Sequence, residues 1–283
     1  MEIDMKIAGH LSAWGKQFEI GLSELSTMGF GHIEVGSNFI TSFESAKNKY
    51  IEIMQKFRLE ISAVFEVGHF NQWRRRREVY FHHDRIGRLL RDFGIKEVVI
   101  GPGIRMNVVD RRVYYSQMIT MINEIASRYR HNDVVMGIHP HFGSSIFTEK
   151  EIDEVFDSIA EDIKLVVDIG HLSEAQVSLL QFIDKYKSRI SNFHMKDVLT
   201  NIKGMQDHSN GGSVRCFNFC RIGSGELDYA GIINLLALND YAGWVTIEME
   251  NHATKLYQTM SGSKTYLEQI IQNQHLLKRS DTV

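Results

Sequence analysis

The sequence has few of the residues that cross-link a fold or interrupt it. It contains only two cysteines and two prolines among 283 residues, and no apolar run approaches the ~20 residues that cross a bilayer. Two cysteines give no disulfide framework, which favours a reducing compartment. The opening stretch MEIDMKIAGH also lacks a basic segment followed by a long apolar one. We therefore expect a cytoplasmic protein with no membrane partner.

Neither sign of charge dominates the composition. The formal net charge is −3, with 24% charged and 43% hydrophobic residues, as in an ordinary soluble enzyme. This balance gives no indication of a nucleic-acid partner. Cys216 and Cys220 are four residues apart, but a lone CxxxC pair is a weak zinc signal. We interpret both as ordinary thiols.

Strand and helix patterns alternate eight times along the chain. The predicted strands are residues 5–10, 32–36, 61–68, 97–100, 134–139, 164–168, 190–195 and 244–248. The predicted helices are 19–28, 43–57, 80–93, 111–130, 149–160, one that ends near 187, 227–238 and 254–277. This repeat predicts an α/β protein formed by a single (β/α)8 TIM barrel.

The rest of the chain agrees with one barrel domain over residues 1–283. No linker rich in proline, glycine or serine separates two halves, and no GxGxxG motif follows the first strand. An open doubly wound sheet with an added lobe is therefore disfavoured. The Gly-rich stretch 199–225 is too long for a simple connection and is predicted to be a lid or an oligomer contact. Residues 277–283 form a frayed tail.

Ionisable residues stand at the ends of the predicted strands, where a parallel barrel opens into its active site. They are His10, Glu34, Glu66, His69, His139, His141, Asp168, His171, His194, Lys196, Glu248 and Glu250. So many charges cannot be buried separately, because each unpaired charge is costly. A metal ion and a polar substrate would relieve that cost.

The favoured metal ligands are His139, Asp168, His194 and Glu248, from the ends of the last four strands. Two imidazoles and two carboxylates suit a transition metal better than Ca²⁺ or an all-oxygen Mg²⁺ site. One divalent ion is expected, Mn²⁺ or Co²⁺ in preference to Zn²⁺, Fe²⁺ or Mg²⁺.

Three further residues lie beside these ligands. His141 and His171 follow a ligand by two and three residues, so they could contact the substrate or orient the ligands. The alternative is that each is a loop histidine that caps a helix. Lys196 shares a strand face with His194 and could stabilise an oxyanion or pair with a carboxylate.

Substrate contacts are expected from the first half of the chain. Aromatic residues could stack on a sugar ring: Trp14, Phe65, Phe70 and Phe142, although barrel packing explains Phe65 equally well. Polar contacts are expected from His10, Glu34, Glu66 and His69; the two glutamates could instead pair with His10 and Lys6. Residues Arg74 to Arg77 could bind a phosphate or carboxylate, or form a solvated helix start.

Five segments resemble a known superfamily. IHPHFGS, VVDIGHLSEA, NFHMKDV, RIGSGELDYAGI and YAGWVTIEME are similar to the strand-end motifs of the xylose-isomerase-like barrels, the sugar phosphate isomerase/epimerase group. Within it they are most similar to the inosose (2-keto-myo-inositol) dehydratases. The likeness is specific over residues 134–251 and otherwise concerns the layout of the chain.

The resemblance implies a divalent metal, an α-hydroxy ketone substrate and enediolate chemistry. Many epimerases of the superfamily carry two ligand glutamates, and the first of these positions is His139 here. This departure argues against two-base epimerisation and leaves Glu248 as the matched carboxylate. We expect Glu248 or a metal-held hydroxide to remove the α-proton, and His141, His171 or Lys196 to protonate a leaving hydroxyl.

The expected function is therefore an inosose-dehydratase-like lyase reaction on a keto-sugar or keto-cyclitol. The alternative within the barrel is a sugar (phosphate) epimerase or aldose-ketose isomerase. Apurinic-site endonucleases share the barrel, but they use three metals and more histidines, and Gly101-Pro102-Gly103 offers none after strand four. A binding protein without chemistry is disfavoured by the complete ligand set. A homo-oligomer is compatible with all of these functions.

Overall fold

The computed structural model describes residues 5–107, 109–201, 216–249 and 255–280. Eight parallel strands close into a barrel in the order β1–β10–β7–β6–β5–β4–β3–β2. Their bounds are β1 (Lys6–His10), β2 (His32–Gly36), β3 (Glu60–Val67), β4 (Glu97–Gly101), β5 (Val135–Ile138), β6 (Lys164–Asp168), β7 (Ile190–Met195) and β10 (Trp244–Ile247). The predicted (β/α)8 barrel is confirmed, because β10 pairs with both β1 and β7.

Helices surround the strands. They are α1 (Phe18–Thr27), α2 (Ser37–Thr41), α3 (Lys47–Phe57), α4 (Arg76–Phe93), α5 (Arg111–Arg130), α6 (Glu149–Phe156), α7 (Ile169–Glu174), α8 (Leu179–Tyr186), α9 (Tyr229–Leu238) and α10 (Leu256–Ser280). Short 3₁₀ turns cover Leu11–Trp14 and Trp73–Arg75. No helix in the described ranges is long and apolar enough to cross a bilayer.

The predicted helix bounds are wrong in several places, and the helix predicted from Tyr80 begins already at Arg76. The helix predicted from Phe43 begins at Lys47, because a separate short helix, α2, already follows β2. The helix predicted over 149–160 ends at Phe156. The last helix continues to Ser280 instead of fraying from 277, while its predicted start at Thr254 and the final residues 281–283 lie outside the described ranges.

The stretch predicted as a long loop contains a two-stranded arm. β8 (Asp197–Asn201) and β9 (Cys216–Cys220) pair antiparallel, with Val198 opposite Phe219. We call these two strands the arm. Its second strand reads CFNFC, whose alternation of apolar and polar residues is typical of a strand with one covered face. Cys220 carries a free thiol, and the side chain of Cys216 lies outside the described part.

Most of the apolar core lies between the strands and the helices, while a small group fills the barrel itself. Ala63, Val99 and Val166 meet inside the barrel, with Phe65 packed on them. Ser191 is an extra residue in β7 at a register shift opposite β6. Its hydroxyl lies 2.7 Å from a carboxylate oxygen of Glu97, near the amino end of β4. The amino end of the barrel therefore holds a buried acid.

Glu97 is expected to make stability fall as the pH rises. Burial raises the pKa of this carboxyl to about 7, although the Ser191 hydroxyl opposes the change. The folded chain thus holds a proton that an unfolded glutamate loses near pH 4.5. The stabilising effect of protonation is complete below pH 4.5 and is lost as the pH rises through 7.

At pH 8, the free energy of unfolding of the Glu97→Gln variant should therefore exceed that of the wild type by about 3 kcal/mol. The difference should vanish below pH 4.5. Urea titrations between pH 4 and pH 8 measure it. Glu60→Gln is the control, since the Glu60 side chain at the start of β3 is 84% exposed. Equal stabilities of wild type and Glu97→Gln at pH 8 would contradict the assignment.

Candidate metal centre

Four ionisable side chains meet at the carboxyl end of the barrel. His139 directly follows β5, Asp168 ends β6, His194 lies near the end of β7, and Glu248 directly follows β10. Each offers one nitrogen or oxygen atom, and these atoms all lie within 4.8 Å of one another. The structure thus brings together the four residues that the sequence proposes as metal ligands.

Strand register explains this convergence. Asp168 is paired with His194 on the neighbouring strand, and His194 is paired with Thr246 on the other side. The ladder continues one step further, because the amide of Glu248 donates to the carbonyl of Met195 at 3.1 Å. Side chains two residues apart on a strand share a face, so Glu248 extends from the same face as Thr246.

The imidazole of His194 is held from both sides. Its Nε2–H donates to Glu34 Oε1 at 2.9 Å, and its Nδ1 lies 3.2 Å from Glu248 Oε2. Glu34 is fully buried and also accepts from the Asn192 amide at 3.1 Å. A carboxylate behind a ligating imidazole fixes its tautomer and orientation. Glu34 therefore presents the Nδ1 atom of His194 to the centre.

Glu34 thus occupies a different position from the one expected of a substrate-binding residue. Its side chain has no exposed surface, and it lies beneath His194 instead of facing the mouth. The sequence gives no sign of this, because the register between β2 and β3 shifts between Ile33 and Glu34. Such a shift changes where the following side chains point.

The ionisable groups in the centre lie close together and shift one another's pKa values. Burial works against the charged form of His194, but Glu34 and Glu248 outweigh it and raise its pKa to about 10. Burial likewise raises the pKa of Asp168, but the Lys196 ammonium and His171 bring it down to about 2. Burial keeps the pKa of His139 well below its usual range, so this ring is neutral. The carboxylates are therefore ionised, and the centre favours positive charge.

These residues fit a divalent cation. Asp168 Oδ2 is buried and has no hydrogen-bond partner with regular geometry among the described residues; it lies 3.1 Å from the Lys196 ammonium, with which it forms an ion pair, and 3.7 Å from His139 Nε2. Polar atoms left unsatisfied in a dry interior are costly unless a ligand or ion satisfies them. The set of two nitrogen and two oxygen donors suits a first-row transition metal or zinc.

Lys196 closes one side of the centre. Its ammonium lies 2.7 Å from Glu248 Oε2 and 3.1 Å from Asp168 Oδ2, and its side chain is 1% exposed. It therefore neutralises two of the candidate ligand carboxylates directly.

Two further histidines form a row that leads from His139. The ring centroid of His141 lies 5.8 Å from that of His139 and 5.6 Å from that of His171. His171 Nδ1–H donates to Glu174 Oε2 at 2.9 Å, and its Nε2 lies 3.8 Å from Asp168 Oδ2. Burial lowers the pKa of His141, whereas Asp168 and Glu174 overcome burial and raise that of His171. Both rings thus border the centre.

The other residues predicted to contact the substrate fall into two groups, those near the centre and those directed elsewhere. His10 is buried beside the centre, with Nε2 3.5 Å from Glu34 and Nδ1 4.0 Å from Glu248. Phe65 lies edge-on to the rings of His10 and His139, at 6.4 and 6.1 Å. Phe142 is 66% exposed on the loop after β5. His10 and Phe65 therefore border the centre, whereas the Phe142 ring packs edge-on against Phe147 at 5.5 Å.

Other residues expected to bind substrate are directed elsewhere. The Trp14 indole donates to Glu24 on α1 at 2.8 Å, and its ring packs on that helix. Glu66 lies 2.9 Å from His82 on α4, because β3 directs Ala63 and Phe65 inward and Glu66 outward. These predicted substrate contacts are therefore not in the centre.

His69, Phe70 and the arginine run are likewise not drawn into the centre. His69 is exposed in a left-handed turn with φ +49°, and Phe70 is buried against Gly68 and Ile100. Arg75 pairs with Glu78, and Arg76 stacks on Trp73 with 4.5 Å to the ring centroid. Their described contacts are those of a solvated helix start. The predicted Glu250 lies outside the described ranges.

Three residues belong to the site without having been predicted, namely Glu174, Asn192 and Phe219. Glu174 is three residues after His171 on α7, and Asn192 is two residues before His194 on β7, so helix and strand spacing could have indicated both. Phe219 comes from the arm and lies 5.3 Å from the His171 ring, edge-on. No local signal marks it, because the pairing of the arm brings it there.

A family model described as Xylose isomerase-like TIM barrel matches residues 22–272. The chain belongs to this family. An inosose dehydratase of Glaesserella parasuis serovar 5 (strain SH0165) is 32% identical over 134 residues, 45% of either chain. The aligned part thus spans about half the length of that curated relative. An inosose dehydratase of Clostridium botulinum (strain Alaska E43 / Type E3) is 24% identical over 253 residues, 82% of either chain.

Solved structures share the fold at low identity. The probable 3-DHS dehydratase AsbF from Bacillus anthracis superposes with a TM-score of 0.76 at 13% identity, over 93% of this chain and 99% of that one. D-Psicose 3-epimerase of Clostridium cellulolyticum H10, solved with D-tagatose, gives 0.75 at 13%, over 94% and 99%. The IolI protein with a bound zinc atom gives 0.74 at 14%, over 95% and 99%. The resemblance inferred from the strand-end motifs is confirmed at the level of the family.

Glu34→Gln should weaken metal binding without removing a candidate ligand. An amide holds the His194 ring less firmly, and loss of such a supporting carboxylate typically lowers metal affinity by about 10- to 100-fold. Isothermal titration of the apoprotein with Mn²⁺ measures the change. Glu66→Gln is the matched control, since Glu66 lies on the neighbouring strand β3 but pairs with His82 on α4. Unchanged Mn²⁺ affinity in Glu34→Gln would refute the orienting role.

Proposed function

We propose that this protein is a divalent-metal-dependent lyase that dehydrates a small polyhydroxy ketone, most of all a keto-cyclitol such as inosose. One observation carries the proposal. The candidate ligand atoms of His139, Asp168, His194 and Glu248 converge within 4.8 Å at the carboxyl end of the barrel. The curated relatives named inosose dehydratase support the substrate class.

The four converging residues would hold the metal. When bound there, a divalent ion supplies Lewis acidity, which polarises a ketone oxygen and stabilises the negative charge that develops when an α-proton leaves. The donor set favours Mn²⁺ or Co²⁺, and the zinc-bound IolI structure makes Zn²⁺ an alternative.

Glu248 is the residue best placed to remove the α-proton. Its side chain is 18% exposed, whereas those of Asp168 and His194 are 0% and 1% exposed. It is therefore the most accessible carboxylate of the set from the mouth of the barrel. Lys196 and His194 overcome the effect of burial and hold the pKa of Glu248 well below its usual range, so it is ionised before it accepts a proton.

The leaving hydroxyl requires a proton from the other side of the centre. His171 is 15% exposed and is oriented by Glu174, which accepts from Nδ1 and leaves Nε2 as the group that faces Asp168. We assign the general acid to His171. His141 donates its Nδ1–H to the Phe142 carbonyl at 2.8 Å, so its Nε2 is left to accept from a substrate hydroxyl.

Proton and electron movements then balance as a dehydration. Glu248 takes the α-proton, and the C–H electron pair moves toward the ketone oxygen to give an enediolate beside Lys196. The negative oxygen then re-forms the ketone, and the enediolate electron pair forms a double bond between the α- and β-carbons as the β-carbon–oxygen bond breaks. His171 gives its proton to the departing hydroxyl, which leaves as water.

Epimerisation or aldose-ketose isomerisation is the second candidate. The structure of D-psicose 3-epimerase shares the fold, which supports epimerisation as the second candidate reaction. A two-base epimerase needs a base on each face of the substrate carbon. Here the residue after β5 is His139, which is neutral and only 4% exposed. One accessible carboxylate therefore favours dehydration.

Glu248→Gln should reduce turnover of 2-keto-myo-inositol by about 10²- to 10⁴-fold, the usual contribution of a general base. An amide can still donate an oxygen to the metal, so part of the Mn²⁺ affinity should remain. Dehydration is followed by the ultraviolet absorbance of the conjugated product, and Mn²⁺ binding by calorimetry. Glu66→Gln is again the control. Near wild-type turnover in Glu248→Gln would exclude the assigned base.

The same assay separates the two reaction classes. With D-tagatose in D₂O, an epimerase exchanges the α-proton and yields a new sugar without ultraviolet absorbance. A lyase on a keto-cyclitol yields the absorbing product instead. Exchange with D-tagatose and no absorbance change with 2-keto-myo-inositol would replace the first candidate by the second.

Metal removal should lower both activity and stability. Mn²⁺ at 100 times its dissociation constant stabilises a protein that binds it only when folded by about 2.7 kcal/mol. Dialysis against a chelator should therefore lower the melting temperature, and Mn²⁺ or Co²⁺ should restore it together with turnover. Ca²⁺ serves as the control ion. A melting temperature that responds to none of Mn²⁺, Co²⁺ and Zn²⁺ would contradict the metal centre.

A further inference from the structure

We propose that Phe219, on the second strand of the arm, is a positioning residue for Lys196. The inference rests on the proposed function only in assigning Lys196 to the reaction. The contacts themselves belong to described residues: those of the arm and of α7, and Lys196, which lies between β7 and the arm.

The stem of Lys196 is confined between a helix and an aromatic ring. A Cβ atom on Gly170 of α7 would lie 2.5 Å from Lys196 Cγ and 2.9 Å from Phe219 Cε1. Real side chains do not tolerate such distances, so only glycine allows the lysine and the ring to pack here. Gly170 and Phe219 thus pack on either side of the aliphatic part of the Lys196 side chain.

The ring also faces the charged ends of two groups. The Lys196 ammonium lies 5.0 Å from the Phe219 ring centroid, which is within range of a cation–π contact. The same ring meets His171 edge-on at 5.3 Å. Phe219 therefore contacts both the cation between Asp168 and Glu248 and the proposed general acid.

The arm fixes where this ring lies. Phe219 is paired with Val198, two residues after Lys196 on the same chain segment. Asp197, the residue between Lys196 and Val198, is fully buried. Its carboxylate accepts from the amides of Gly223 and Gly225 at 2.9 Å and of Leu227 at 3.2 Å. This carboxylate ties the segment that follows the arm to the end of β7. The ring is therefore held in register with the lysine that it covers.

The position of Lys196 matters because two carboxylates compete for its charge. Its ammonium lies at 2.7 Å from Glu248 and 3.1 Å from Asp168. If the ring were removed, the stem could swing toward the space it leaves, and water could reach the ammonium. We expect removal of the Phe219 ring to weaken stabilisation of the transition state more than it weakens substrate binding.

The first test is independent of any substrate. Reductive methylation with formaldehyde and a borane, followed by peptide mass mapping, gives the labelling rate of each lysine. Lys196 should be protected in the wild type and labelled about tenfold faster in Phe219→Ala, in keeping with the loss of a cation–π contact. Lys56, which is 64% exposed, is the internal standard. Phe219→Tyr keeps the ring and should retain protection.

Asn218→Ala is the matched control. Asn218 is the preceding residue on the same strand, is exposed, and extends from the opposite side of the arm. Its labelling pattern should equal that of the wild type. If Phe219→Ala fails to fold by circular dichroism, Phe219→Leu, which keeps the apolar bulk but not the ring, takes its place. Lys196 labelling as slow as in the wild type in the folded variant would overturn the proposal.

Kinetics provide the second test. With Mn²⁺ and 2-keto-myo-inositol, Phe219→Ala should lower kcat about tenfold and leave KM within about threefold, the pattern of an interaction made in the transition state. Phe219→Tyr should restore kcat. A change confined to KM would overturn the positioning role. If the wild type does not turn over this ketone, the proposed function fails while the labelling result still decides the role of Phe219.

Discussion

The structure depends on compensation of negative charge at the carboxyl end of the barrel. Glu34 and Asp168 have no exposed side-chain surface, and Glu248 has little. Leaving carboxylates unpaired in such surroundings would cost several kcal/mol each. Lys196 and protonated His194 offset part of this cost, and both lie within 3.2 Å of Glu248. A bound divalent cation would take over the role of the His194 proton, so folding and metal binding draw on the same charges.

The closed barrel and the convergence of four strand ends could be predicted from the sequence for one reason. Parallel strands covered on both faces are apolar along their length, so an ionisable residue at the end, such as Asp168 or His194, is conspicuous. The same property hides orientation within a strand. Since both faces are apolar, no alternation shows that Glu66 points outward to α4 or that Glu34 lies beneath His194. Register, which depends on the neighbouring strand, decides both.

The pairing of the two strands of the arm could not be predicted from the sequence, for a different reason. The stretch between β7 and α9 is rich in glycine and polar residues, which indicates a loop. The antiparallel pairing of β8 with β9 joins two segments of this stretch that are separated in sequence. Phe219 reaches His171 and Lys196 only through that pairing. By contrast, Glu174 and Asn192 are near their partners in sequence, and the spacing of a helix or a strand suffices to place them.

Two buried glutamates in one barrel show how surroundings determine chemistry. Glu97 near the amino end has a serine hydroxyl as its partner, so burial prevails and its pKa rises to about 7. Glu34 near the carboxyl end contacts His194, whose charge and hydrogen bond outweigh burial and lower its pKa. A neutral acid cannot support a cation, whereas an ionised one can orient the imidazole that binds it. The distribution of cationic partners, more than that of carboxylates, therefore locates the metal centre at the carboxyl end.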